Sequence, residues 1–280
     1  MIVVQLQGGL GNQMFQYACG RAVALRAKKN LVLDLRCYMN HMQHRHYGLH
    51  HFNIQAQTIY SLEQLRIICK QQQIDKIPLF IEPHFHFAPQ VAALRDSVAL
   101  VDGYWQSERY FYDVAATIRQ DFVPISGSIS VAAQQLSQIV GKTLSIAVHV
   151  RRGDYVSVPL YAKVHGALPL RYYQAAFQAM QSKFPSAHFF VFSDCPKWCR
   201  SAFAQYTNLT VVENGPEQKA HEDLWLMSQC NHHIIANSSY SWWSAWLNPK
   251  PDKMVIAPAR WFRGADHDTR DLFPASWHQI

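Results

Sequence analysis

The chain is predicted to be an α/β protein of two Rossmann-like lobes. Three observations predict this. Short β-branched apolar runs alternate with helical stretches through the second half, as parallel, doubly wound sheets require. The length, 280 residues, is long for one core and fits two lobes of about 100–150 residues. A Pro/Gly/Ser cluster begins at Pro124 near mid-chain, where an interlobe connection belongs. The connection is placed near 125–142, and the lobes are assigned as 1–135 and 136–280.

In chain order, Ile2–Leu6 is an apolar strand, followed by Gln7-Gly8-Gly9-Leu10-Gly11-Asn12-Gln13 and a helix from about Asn12 to Lys29, with Asn12 as its N-cap. Leu31–Leu35 is a second strand. Cys37 to Gln57 reads as an irregular polar loop with five histidines, whose spacing fits no common zinc pattern. Ser61–Gln73 is a helix, and Pro78–Pro89 a loop or ragged strand pair. Val98–Trp105 is a strand, and Glu108–Phe122 and Val131–Val140 are helices. The central strand, Leu144–Val150, precedes a loop and a helix opened by Pro169. Strands at His188–Phe192, Leu209–Glu213, His233–Ala236 and Met254–Ala257 alternate with helices at Lys197–Gln205, Lys219–Cys230 and Ser241–Leu247.

Candidate chemistry clusters around the end of the central strand, where residues 143–156 read TLSIAVHVRRGDYV. His149, Arg151, Arg152 and Asp154 lie within six positions, with Gly153 allowing a sharp turn. Two guanidiniums at the end of a buried strand need an anionic partner, because unpaired buried charge is costly. Arg grips phosphate with a bidentate fork, so a diphosphate clamp is one reading. An internal Arg–Asp pair is the other. Arg152-Gly153-Asp154 as an adhesion tripeptide fits poorly, since such a tripeptide needs a loop tip. Asp194 ends a strand. It either pairs with the N1–H and amino group of guanine or caps the next helix. Asn237, Ser238 and Ser239 lead from a strand into a helix, as a phosphate cradle or a plain cap. Trp242, Trp243 and Trp246 recur at helical spacing, which favours core packing.

Four blocks are similar to those of the α1,2-fucosyltransferases, within the wider group of GDP-fucose-using transferases. They are GGLGNQMFQYA, HVRRGDY, the FSD ending at Asp194, and IANSSYSWW, with Tyr240 where the family often has Phe. They occur in the family's order and span most of the chain, although 36 to 95 contributes nothing. The resemblance implies GT-B architecture with a donor cleft between the lobes. The N-terminal lobe would take the acceptor and contribute the Gly-Asn-Gln loop, and the C-terminal lobe would bind GDP-fucose. It implies transfer of L-fucose from GDP-L-fucose to the 2-hydroxyl of a galactose, with inversion, as in O-antigen or lipopolysaccharide assembly. Arg151, His149 and Asp154 are then the catalytic candidates. Gly11, Asn12, Gln13, Arg152, Asp194, Asn237, Ser238 and Ser239 are the donor-binding ones. Glu222 and Asp223, in a segment similar to the family's EDL, are weaker candidates for facing the donor.

No metal or other cofactor is expected, since arginines would neutralise the leaving diphosphate. The one Asp-x-Asp, Asp266-His267-Asp268, lies in a polar loop and not after an apolar strand. The net charge of +7 favours an anionic ligand or a membrane face. With no Lys/Arg run or known motif, it does not argue for nucleic acid. The N-terminus lacks a signal-peptide pattern, no run of 18 apolar residues occurs, and the six cysteines are scattered. The expectation is a cytoplasmic protein with reduced thiols, placed at most peripherally on the inner membrane. Three rivals remain open. A dehydrogenase would use Gly9, Gly11 and Asp34, although Met14 stands where the fingerprint's third Gly belongs. A binding protein would bind without turnover. The last is a transferase using another GDP-sugar.

Overall fold

The computed structural model describes residues 1–39, 45–95, 98–213, 219–264 and 267–280. His41, His44 and Asp266, named above, lie outside the described residues. The chain divides into two compact units: Met1–Ile125 with His267–Pro274, and Ser126–Asp266 with Ala275–Ile280. The changeover falls at Ile125–Ser126, and a C-terminal segment returns to the first unit.

The first unit holds a five-stranded parallel sheet of β1 (Ile2–Gln5), β2 (Leu31–Asp34), β3 (Gln57–Ile59), β4 (Leu79–Ile81) and β5 (Ala99–Asp102), in the order β3-β2-β1-β5-β4. β1 is central because Ile2, Val3 and Val4 are apolar on both faces and fully buried, as parallel sheets covered on both sides demand. Its register aligns Ile2 with Leu31 on one side and Ala99 on the other.

The second unit holds a six-stranded parallel sheet of β6 (Ser145–Val150), β7 (His188–Ser193), β8 (Leu209–Val211), β9 (His232–Ile234), β10 (Val255–Ala257) and β11 (His278–Gln279), in the order β11-β10-β9-β6-β7-β8. Every residue of β6 is buried. One face packs on the helix Leu170–Lys183 through Tyr173, Ala176, Phe177 and Met180. The other packs toward Leu226, Met227 and Cys230. Trp242, Trp243 and Trp246 are core residues. Trp242 meets Trp277 at 5.4 Å between ring centroids.

Each unit is therefore a Rossmann-like parallel sheet, and the fold is of the GT-B type expected. Local differences have local causes. β3 begins at Gln57, the last residue of the stretch read as loop, and of its three residues only Ile59 is buried, so no alternation marks it. β4 is a true parallel strand on the sheet edge with Leu79 and Ile81 exposed. The expected helix 108–122 breaks into two 3₁₀ turns, Glu108–Tyr110 and Tyr112–Val114, before a helix at Ala115–Asp121. Phe111 leaves helical geometry at φ −137°. The strand read as last is followed by β11, two exposed residues too short to signal themselves.

Candidate active site

The site is built where the second sheet changes winding direction. From β6 the chain steps to β7 and β8 on one side. It then crosses to β9, β10 and β11 on the other. The connections leaving the carboxyl ends of β6 and β9 therefore diverge, and open α/β sheets bind ligands in the crevice so formed. Six-residue pairing with β7 and pairing with β9 hold β6 in register. Arg151, Arg152 and Asp154 follow β6, Asp194 follows β7, and Asn237 and Ser238 follow β9.

Arg151 sits between two carboxylates. Its Nη2 lies 2.8 Å from Asp154 Oδ1 and its Nη1 lies 3.0 Å from Asp194 Oδ2. Burial works against its charge, but the two aspartates outweigh burial and raise its pKa. The internal pairing weighed from the sequence is thus present. It does not exhaust the guanidinium, which carries five N–H donors in a fixed fork. About one fifth of the side chain stays exposed. A cation kept charged and oriented by two anions, with donors to spare, is suited to receive a further anion.

Asp194 is tied to the turn itself: besides Arg151, its Oδ1 accepts from the Arg152 N–H at 2.9 Å. Its first job is to lock the Arg151–Gly153 backbone, and both oxygens are engaged in doing so. Gly153 is needed for that lock. A Cβ there would lie 2.8 Å from Asp194 Oδ2. The sharp turn expected at Gly153 is instead the start of a short helix, Gly153–Ser157. The Arg152 guanidinium turns to stack 4.1 Å above the Trp198 ring, so the two arginines do not act as a pair.

His149 is buried, and burial followed by the Arg151 charge lowers its pKa to about 3, so it is neutral at any working pH. Its ring lies 5.3 Å from that of Tyr240. Asn237 is 1% exposed, and its Nδ2 donates to the carbonyls of His165, Gly166 and Trp261 at 3.1–3.2 Å. Its Nδ2 thus stitches two loops to the end of β9, while its buried Oδ1 has no hydrogen-bond partner in the protein. Tyr155 donates to the Asn237 carbonyl at 3.2 Å, linking the Arg151 helix to the β9 turn. Ser238 is the N-cap of the helix Ser239–Leu247, yet its side chain makes no capping bond. A helix N-terminus with an uncommitted hydroxyl thus adjoins β9. Glu222, considered for the donor, instead accepts from the Ser130 N–H and hydroxyl at 3.0 and 2.9 Å, joining two helices.

In the first unit the helix begins at Leu10 with Gly9 as N-cap, so Asn12 lies inside the helix and not at its cap position. Asn12 Oδ1 accepts from Gln106 Nε2 at 3.0 Å. Gln13 is fully buried. Its amide donates to the carbonyls of Gly8 and His46 and accepts from the Gly48 N–H, which fixes a loop from inside. Gly11 is buried in the same first turn. Asp34, the acid a dehydrogenase would offer a ribose, is fully buried and gripped by Arg36 through both oxygens. Among the described residues, no three or more His, Cys, Asp or Glu cluster as metal ligands. Asp268 pairs with Arg270. Sequence reasoning passed over Glu82, which accepts from the Tyr104 and Trp105 N–H groups at 2.7 and 2.9 Å and keeps the buried Trp105 at φ +56°. Neither periodicity nor a known motif gave a signal for it.

The model of glycosyl transferase family 11 matches residues 1–280. The chain belongs to that family. It is 36% identical to an alpha-1,2-colitosyltransferase of Escherichia coli, over 100% of this chain and 99% of that one. It is 31% identical to the O-antigen biosynthesis glycosyltransferase WbnK of Escherichia coli, over 92% and 94% of the two chains. Among solved structures it resembles NodZ alpha-1,6-fucosyltransferase co-crystallised with GDP. The TM-score is 0.54 at 16% identity, covering 89% of this chain and 92% of that one, a likeness of fold. This family 11 protein is a glycosyltransferase, and the Arg151 cluster stands where such a fold binds ligands.

Proposed function

We propose that the protein transfers L-fucose from GDP-L-fucose to the 2-hydroxyl of a galactoside, inverting the anomeric centre, in the assembly of a bacterial surface glycan. The observation that carries the reading is Arg151, held charged by Asp154 and Asp194 at the switch point of the second sheet. In the transfer, the bond from C1 of the sugar to the β-phosphate oxygen breaks with its electron pair going to the diphosphate, and the acceptor hydroxyl oxygen attacks the opposite face and gives its proton to water. Negative charge grows on the departing diphosphate, and Arg151 is the preorganised cation for it. The N-terminus of the helix Ser239–Leu247 and the Ser238 hydroxyl supply further dipoles of the right sign.

Asp154 is assigned as the anchor of Arg151, not as a free base, because its carboxylate is already paired. An oxocarbenium-like transition state asks little of a base. Neutral His149 packs behind the cluster. Asp194 supports guanine recognition through the turn it locks. No divalent metal is required in this scheme. The α1,2 linkage is supported by the motif resemblance and by the name of the colitosyltransferase relative. That same relative favours one second reading. Colitose is the 3-deoxy counterpart of L-fucose, so a GDP-colitose donor would fit the same leaving-group chemistry.

The deciding experiment is GDP release from a panel of GDP-sugars, with and without lactose. Lactose-dependent release from GDP-L-fucose alone is expected. Preference for GDP-colitose selects the second reading, and release from none of the panel refutes both. We further propose a cytoplasmic protein in peripheral contact with anionic membrane. Support comes from the net charge of +7 and from the absence, among the described residues, of a helix long and apolar enough to cross a membrane. Co-sedimentation with anionic but not neutral vesicles is the expected result.

A further inference from the structure

We infer that the segment 156–163 of the second unit, with Arg263 packed along it, is the surface on which the protein lies against an anionic lipid bilayer. The inference deepens the reading of peripheral membrane contact proposed above and rests on it. Three observations carry it.

The first is exposure. Beyond Tyr155 the chain reads Val156-Ser157-Val158-Pro159-Leu160-Tyr161, and every one of these residues is exposed. Val156 is 55% exposed and Leu160 65%. Apolar residues scattered singly over a surface are ordinary, but a consecutive run of them marks a surface that something covers.

The second is that the fold imposes this exposure. The rings of Tyr155 and His165 stack with centroids 4.8 Å apart and planes 7° apart, so the two ends of the segment meet at its base. The Tyr155 hydroxyl donates to the Asn237 carbonyl at 3.2 Å, and Asn237 Nδ2 holds the His165 and Gly166 carbonyls. The Arg263 N–H donates to the Val164 carbonyl at 2.9 Å, and its Nη1 to the Ala162 carbonyl at 3.1 Å. Gly166, at φ +65°, leaves room for that side chain, since a Cβ there would lie 2.7 Å from Arg263 Cδ. Between these ties run two short helices, Gly153–Ser157 and Pro159–Val164, joined through Val158 in extended geometry. Neither helix buries a residue. A closed ridge anchored at its base therefore holds its aliphatic side chains in solvent.

The third is charge. Lys163 and Arg263 are both exposed on the ridge. The chain carries no acidic residue between Asp154 and Asp194, and none from 253 to 265. Asp154 is itself committed to Arg151. The segments that build the ridge thus bring cations and no counter-charge of their own.

An apolar ridge flanked by cations fits the headgroup layer of an anionic bilayer. Leu160, Val156 and Val158 enter the acyl boundary, the Tyr161 ring settles at headgroup level, and Lys163 and Arg263 reach the lipid phosphates. A second copy of the chain is a poorer occupant. A two-fold contact sets the same patch against itself, so the cations of one copy would meet those of the other. The ridge also leaves directly from the Arg151 cluster, whose guanidinium lies 5.6 Å from the Tyr155 ring. A bilayer seated there is one short loop from the leaving-group clamp, where an acceptor carried on a lipid is of use.

The test is co-sedimentation with vesicles of phosphatidylglycerol in phosphatidylcholine and of phosphatidylcholine alone, beside sedimentation of the free protein. It needs no turnover, so it decides the point whichever sugar is transferred. Wild type is compared with two variants, Leu160→Ser with Tyr161→Ser, and Lys163→Gln with Arg263→Gln. Wild type should bind the anionic vesicles and not the neutral ones. One cation near such a surface is worth roughly 5-fold in binding, so the charge variant should bind about 25-fold more weakly. The apolar variant should lose about 10-fold or more, the scale for withdrawing a large side chain from an apolar layer. Binding equal to wild type in either variant leaves membrane contact standing and overturns this surface. No binding by wild type overturns the membrane reading and the inference together. A wild type that is dimeric without vesicles, and monomeric in the apolar variant, gives the ridge to a second copy and also overturns it. All four substituted side chains are exposed, so both variants should melt as wild type does. Should one of them unfold, the other decides.

Discussion

Replacing Arg151 separates a structural ion pair from a leaving-group clamp. In Arg151→Ala the carboxylates of Asp154 and Asp194 lose the cation that lay 2.8 and 3.0 Å away. Their side chains are only 17% and 22% exposed, so the two anions are left largely desolvated. Removing one partner of a fully buried pair costs about 3–5 kcal/mol. Discounted for solvent access here, the loss is about 1–3 kcal/mol of stability. Activity should fall by at least about 100-fold, the scale for losing one preorganised charge contact to a developing anion. Arg151→Lys keeps the charge but cannot bridge two carboxylates and a phosphate, so it should recover stability better than rate. The double variant Arg151→Met with Asp194→Asn removes charge from both sides. It should regain stability over Arg151→Ala while its GDP-release rate stays low. The assay is GDP release with lactose, beside thermal denaturation of each protein. Near-normal turnover in Arg151→Lys, or activity returning with stability in the double variant, would refute the clamp.

Further tests are simpler. Activity should survive excess EDTA, and a collapse reversed by magnesium would overturn the metal-free scheme. Gly153→Ala pushes a methyl to 2.8 Å from Asp194 Oδ2, so it should cost about 1–3 kcal/mol of stability and lower turnover with it. A neutral outcome in melting and rate would show that the Asp194 lock is dispensable. Glu82 binds its proton more tightly folded than unfolded, so its contribution to stability falls as pH rises from about 4.5 to about 6, by an amount on the order of 2 kcal/mol. Glu82→Gln should flatten that part of the difference in stability against pH, read by denaturant titration. His149 acts in the opposite sense. Its proton binds more weakly folded, so stability is lost as pH falls below about 6.5 toward about 3, and His149→Gln should reduce that loss.

The sequence by itself determined the architecture and the address of the candidate site. Strand and helix periodicities are local, so the alternation of β6 through β10 with helices was legible. So was the packing role of the tryptophans after Ser241. The Arg151–Asp154 cluster could be placed at a strand's carboxyl end because strand, turn and charges are contiguous. Only the tertiary structure decided which groups meet. Asp194 lies 40 residues beyond Asp154, and no pattern in the chain says that it closes on Arg151 and needs Gly153 bare to do so. Gln13 looks like a ligand-facing amide in a glycine-rich loop, but long-range backbone partners at His46 and Gly48 claim it. Glu82 and Trp105 were invisible for the same reason. Strain and burial arise from contacts between β4, β5 and the loop after them, and a residue's partners across a sheet are set by strand order, which no local window contains.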